Sequence, residues 1–225
     1  VRSIDLAPDR GRLVYIAGIN GALAVIGADI NNTKQTEVLR LPQADFEISW
    51  PTPKLFSFIT RPSGEAGGYL FSYDLGSGVF SKLVGPEPGL EALWSPSGKS
   101  AILFAVDTVS KLPNLFVYDV VLKNKKSLQT ATFFKKCAWP PKDEKAIYCA
   151  IPSKITPAIY PDSWYRGEAG FDDALWLINV DTLKKENLVD LPEIDVDEIS
   201  VSADGAYIYF RDKKEGALWS YKLTQ

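Results

Sequence analysis

Residues 160–173 read YPDSWYRGEAGFDD and bring Tyr160, Trp164 and Tyr165 together with Arg166, Asp162, Glu168, Asp172 and Asp173. Flat rings beside carboxylates suit a sugar, whose apolar face stacks while its hydroxyls donate to the acids. Tyr, Trp and Arg are equally the usual anchors of a protein interface. Paired carboxylates can also cleave glycosides without histidine. Asp172 and Asp173 are neighbours, however, so on a strand they point to opposite faces and cannot act as one pair. A fourth reading is structural: the aromatics fold back as a cap, with Arg166 paired to Asp162 or Asp172, because a loop of this size must bury something to stay ordered.

The rest of the chain narrows the chemistry. There is no histidine, which excludes Ser-His-Asp and Cys-His catalysis and imidazole-ligated metal. The formal net charge is −3, so there is no basic field for nucleic acid. The pairs Lys125-Lys126, Lys135-Lys136, Lys184-Lys185 and Lys213-Lys214 read as solvated hairpin ends. The acid run DLPEIDVDEIS (190–200) would place Asp195 and Asp197 on one face, but it lacks the D-x-D-x-D-G calcium pattern and reads as a solvated loop. NNT at 31–33 fits a glycosylation sequon, and no glycine-rich phosphate cradle precedes a helix. No cofactor or metal is expected. Cys137 and Cys149 lie symmetrically about Asp143, in the middle of a turn. Opposite each other on a hairpin they would stand within bridging distance; the alternative is a pair of buried thiols. No apolar run reaches the ~18 residues of a membrane-spanning helix.

The elements that must position these residues form a repeat. IDLAPDRGRLVYI (4–16), ISWPTPKLFSFI (48–59), ALWSPSGKSAILF (92–104), CAWPPKDEKAIYC (137–149) and ISVSADGAYIYF (199–210) each read as a β-hairpin. Leu6, Trp50, Trp94, Trp139 and Val201 stand before the turns, at spacings of 44, 44, 45 and 62 residues. A third strand follows each hairpin, and a short fourth follows in four of the five units. This predicts an all-β fold, a β-propeller of four-stranded antiparallel blades with five blades in view. The units run over about 1–42, 43–86, 87–130, 131–192 and 193–225 of a single domain. One sheet cannot cover both of its faces, so blades pack on one another, and Trp50, Trp94 and Trp139 are expected between blades. Unit four is longer by about 17 residues between its second and third strands, roughly 152–170. Its prolines and glycines argue against a regular strand or helix, and long loops in compact domains are often functional.

The WSPSGK turn at 94–99, SADGAYIYF at 202–210 and the third strands resemble the TolB-like, WD-type propeller repeats of bacteria. The likeness covers all five units. KKCAWPPKDEKAIYCAIP followed by YPDSWYRGEAGFDDALW is similar to a group of bacterial envelope proteins in which a membrane anchor precedes such a propeller. That resemblance implies an exported, periplasmic or cell-surface location, any membrane attachment lying outside this chain, and it implies no particular chemistry. A Cys137–Cys149 bridge would agree with an oxidising compartment. The last unit lacks a fourth strand and the chain does not start with methionine. The expectation is that further sequence completes the blade; the alternative is a five-bladed ring with one open edge. The expected function is non-catalytic binding of a protein partner or surface glycan through the loops, chiefly the 152–173 insertion. The alternative is a carboxylate-based glycoside hydrolase or lyase.

Overall fold

The computed structural model describes residues 1–41 and 45–223. Its strands form five antiparallel sheets in chain order. The first holds β1 (Ser3–Leu6), β2 (Arg12–Ile19), β3 (Ala22–Asp29) and β4 (Thr36–Leu41), and the second β5 (Phe46–Thr52), β6 (Leu55–Thr60), β7 (Gly67–Asp74) and β8 (Phe80–Pro88). The third holds β9 (Glu91–Trp94), β10 (Ser100–Val106), β11 (Pro113–Asp119) and β12 (Asn124–Ser127). The fourth holds β13 (Cys137–Ala138), β14 (Ala146–Pro152), β15 (Asp173–Asn179) and β16 (Lys185–Leu191). The fifth has three strands among the described residues: β17 (Val196–Val201), β18 (Tyr207–Asp212) and β19 (Leu218–Lys222). Each sheet is a meander in which consecutive strands pair, which is the propeller blade that the repeat predicts.

The core lies between sheets. Val14, Ile16 and Val25 of the first sheet pack on Ile48, Trp50 and Phe58 of the second. Leu70 of the second meets Leu103 and Tyr118 of the third. Ile102 and Phe104 on the other face of the third meet Trp139, Ile147 and Cys149 of the fourth, and Ala150 and Leu175 of the fourth meet Ile208 and Phe210 of the fifth. Alternation along each strand supplies the two apolar faces that this stacking needs. The three tryptophans before the turns each reach back one blade. The Trp94 indole N–H donates to Ser57 Oγ at 3.1 Å, and that of Trp139 to the Leu93 carbonyl at 3.2 Å. The Trp50 ring lies 4.9 Å from the Arg12 guanidinium.

Cys137 and Cys149 are directly paired across β13 and β14 and form a disulfide. Both are buried. β13 is only two residues long and follows a 3-10 turn, Phe134–Lys136. That turn corrects one sequence expectation. Lys136 is not at a solvated hairpin end: it is fully buried at the entrance to β13. The insertion corrects another, because Asp162–Tyr165 make one turn of α-helix, α1. Pro161 precedes it in a helical backbone conformation, and proline is tolerated at a helix start because its missing N–H would have no partner there.

Replacing both cysteines by serine is expected to lower stability by about 2–4 kcal/mol, the usual range for a short closed loop. Urea unfolding of the oxidised protein against the double variant measures the difference. Equal midpoints would show that the bridge adds nothing.

Candidate functional site

The insertion leaves β14 at Pro152 and rejoins the sheet at Asp173, and its neck is closed by Ser153 N–H donating to the Asp172 carbonyl at 2.8 Å. Between these points its aromatic residues turn inward. Trp164 is fully buried and stacks on Phe133, centroid to centroid 4.5 Å, while Phe133 stacks on Phe104 of the third sheet at 5.4 Å. Tyr160 is buried edge-on to Phe133, its hydroxyl donating to the Thr156 carbonyl at 2.8 Å. Asp162 accepts the Gly64 N–H at 2.7 Å, reaching the second sheet's connection. Gly64 is needed there, because a Cβ would lie 2.3 Å from the Tyr160 carbonyl oxygen. The Tyr165 hydroxyl donates to Glu91 Oε1 at the head of β9. One loop thus joins blades two, three, four and five.

Its foundation is a buried charge cluster. Lys136 Nζ lies 2.5 Å from Asp173 Oδ2 and 2.6 Å from Asp195 Oδ1, and all three side chains are essentially excluded from solvent. Asp195 also accepts the Trp164 indole N–H at 3.2 Å and the Phe171 N–H at 3.2 Å, while Asp173 accepts the Val196 N–H at 2.7 Å. Lys213 donates to the Trp164 carbonyl and sits 4.5 Å above its ring. A buried ion stays charged only when partners replace its water, and here one ammonium serves two carboxylates. Burial pushes the Asp173 carboxyl up to about 6, against the opposing pull of Lys136.

The predicted site residues therefore separate. Tyr160, Trp164 and Asp173 have little or no exposed surface and hold the loop down. Asp162 ties it to blade two. Arg166 is exposed and pairs with Glu168 at 2.7 Å, not with either aspartate. Asp172 is exposed and pairs with Lys214 at 2.6 Å. Tyr165 is 37% exposed. Asp172 and Asp173 do face opposite ways, one to solvent and one to the core. The run 190–200 is corrected: Asp195 is 1% exposed rather than solvated, and a β-bulge after Val196 breaks the period that would have aligned Asp195 with Asp197. Lys213 is likewise half-buried rather than at a free hairpin end. Glu91, Lys136 and Asp195 are the important residues that the sequence reading missed. Glu91 gave one signal, since it stands three before Trp94 as Glu47 stands three before Trp50.

Two cavities lie against the first strands of the sheets. One, of about 450 Å³, is bordered by Asp5, Glu47, Trp50, Glu91 and Trp94. The other, of about 420 Å³, is bordered by Lys135, Trp164, Tyr165, Asp197, Arg211 and Lys213. They share Leu93 and Phe134. Burial pushes Glu91 up to about 8 despite the Tyr165 hydroxyl and nearby Lys135. Burial, with Glu91 beside it, raises the Tyr165 phenol above its ordinary range.

Lys136→Met would leave two buried carboxylates facing each other without a cation, a change that costs about 3–5 kcal/mol. The loss should shrink as pH falls from 7 towards 5, because protonating an aspartate removes the repulsion. Urea titrations of both proteins at the two pH values test this; a pH-independent loss would contradict the electrostatic origin.

No protein-family profile matches this chain, and no curated protein does. Solved structures do. The chain is similar to TolB from Acinetobacter baumannii at 18% identity and a TM-score of 0.63, over 98% of this chain and 51% of that one. Oligogalacturonate lyase in complex with manganese matches at 12% identity and a TM-score of 0.71, over 99% and 65%. The β-propeller domain of the Trilobed protease from Pyrococcus furiosus, which has an open velcro topology, matches at 12% identity and a TM-score of 0.62, over 98% and 66%. The chain spans about half to two-thirds of these structures' lengths. They include a lyase and part of a protease beside TolB, so the likeness speaks to architecture and not to activity. The fold is that of a TolB-like β-propeller.

Proposed function

We propose that this chain is a non-catalytic binding propeller of the bacterial cell envelope that recognises a protein partner through the outer face of its 152–173 insertion. The observation that carries the reading is the division of the loop. Its inner side is fixed by Trp164, Tyr160 and the Lys136 cluster, so the outer side is a firm platform. That side presents the Arg166–Glu168 and Asp172–Lys214 pairs. An ordered surface loses little entropy on association, and arginine is an effective anchor. A surface glycan is supported less well, because two of the three rings that would stack on a sugar are buried. The Cys137–Cys149 bridge supports action outside the cytoplasm.

A carboxylate-based glycoside hydrolase or lyase is the second reading. It is favoured by Glu47 and Glu91 bordering one cavity, with Glu91 held protonated at neutral pH and Glu47 exposed. A carboxylic acid held protonated in a cavity that it shares with a second carboxyl group is a pattern such chemistry uses.

A photo-cross-linking residue at position 166 should capture a discrete envelope protein. The purified pair should bind at least about tenfold more weakly when Arg166→Glu and Asp172→Lys are combined, with thermal stability shifted by no more than a few degrees. Unchanged affinity in the double variant would refute the loop face. Binding on a glycan array with no protein adduct would transfer the role to a sugar. Turnover of oligosaccharides that Glu47→Gln abolishes would establish the enzyme.

A further inference from the structure

Among the described residues three buried side-chain atoms have no hydrogen-bond partner: Trp50 Nε1, Glu91 Oε2 and Asp173 Oδ1. The first two belong to residues that border the same 450 Å³ cavity. A buried polar atom without a partner costs about 1–3 kcal/mol. The Trp50 indole N–H is itself a donor, whereas the free Glu91 oxygen is the acceptor that a donating ligand at this cavity would satisfy.

The composition of the wall says what that ligand is. Asp5, Glu47 and Glu91 contribute carboxyl groups, and among the described residues no lysine or arginine borders the cavity. Asp5 is already occupied, accepting the backbone N–H of Leu6 at 2.8 Å and the backbone N–H of Trp50 at 2.7 Å. Glu91 is 5% exposed, and only its Oε1 is engaged, by Tyr165. Trp94 and Phe134 supply aromatic surface, while the Trp50 ring already carries the Arg12 guanidinium. Among the described residues no three carboxylates or other ligating side chains come close enough to hold a metal ion. Acidic and aromatic walls are complementary to an organic cation, which gains from both the carboxylate charge and the ring faces and adds to the field that Lys135 already exerts on Glu91.

We infer that this cavity binds an organic cation, an ammonium or guanidinium group, between the Glu91 and Glu47 carboxylates and the rings of Trp94 and Phe134. This goes beyond the insertion-face reading and stands without it. The charged and titratable groups around Glu91 are Tyr165 and Asp162 from the insertion, Lys135 from the turn before β13, and Glu47 from β5. With the cavity empty Glu91 carries its proton up to about pH 8. A bound cation favours the carboxylate, so binding releases that proton. Affinity therefore rises with pH, by up to about tenfold per unit, and levels off above the empty-state value.

Isothermal titration of the whole chain with 1,5-pentanediamine and with tri-lysine tests the inference, with 1,5-pentanediol as the neutral isostere and maltotriose as a neutral sugar. The expected result is binding of at least one cation, tighter at pH 8 than at pH 6, with proton release shown by repeating the titration in buffers of different ionisation enthalpy. Binding of the diamine identifies a free amine as sufficient, while binding of tri-lysine alone identifies a side chain presented on a peptide. Glu91→Gln should weaken binding about tenfold or more and abolish the pH slope, and Glu47→Gln should weaken it with the slope kept. The Arg166→Glu and Asp172→Lys variant should bind the cation normally, which separates this site from the loop face. Equal binding of pentanediol or maltotriose, no cation binding in the millimolar range, or full affinity in Glu91→Gln would each overturn it.

Discussion

A lysine ammonium held between two carboxylates, all three out of water, is the joint on which the unusual part of this propeller depends. Lys136 arrives from the turn before the fourth sheet, Asp173 from the return of the insertion, and Asp195 from the link to the fifth sheet. No member could stay charged there alone. Together they bring three chain segments to one point, and Trp164 and Phe171 complete the shell with N–H donors. The packing of Trp164 on Phe133 then follows, because its indole nitrogen is already directed to Asp195.

The repeat was legible because it rests on local signals: alternating apolar residues, turn residues at fixed offsets, and a tryptophan at one register. The cysteine pairing was legible for the same reason, since Cys137 and Cys149 belong to one hairpin. The ion cluster was not. Its members lie 37 and 59 residues apart in sequence, and each sits in a run of polar residues that reads locally as solvent-facing. Lys136 has Lys135 beside it, and Asp195 lies among other acids. Which member of such a run turns inward is decided by where another blade presents the opposite charge. Glu91 was hidden similarly, since a glutamate at the start of a strand reads as an exposed edge until the insertion covers it.

Tyr165 connects the two regions. Its ring borders one cavity and its hydroxyl grips Glu91, which borders the other. The insertion therefore does more than cover a sheet. It sets one oxygen of a buried carboxyl and leaves the second free, so the protonation of Glu91 depends on a residue contributed by a different blade. Lys135 lies 5.1 Å from the same ring, adding a positive charge whose field reaches both cavities.

The covalent bridge has a role that global stability does not describe. β13 is two residues long, too short for its own ladder of hydrogen bonds to resist sliding against β14. Side chains alternate along a strand, so slippage by one position would reverse which way each of them points. Cys137 follows Lys136 directly. By tying Cys137 to Cys149, the sulfur–sulfur link acts as a phase lock: it keeps the adjacent ammonium aimed inward at its aspartates and prevents that short edge from turning its buried cation out into water.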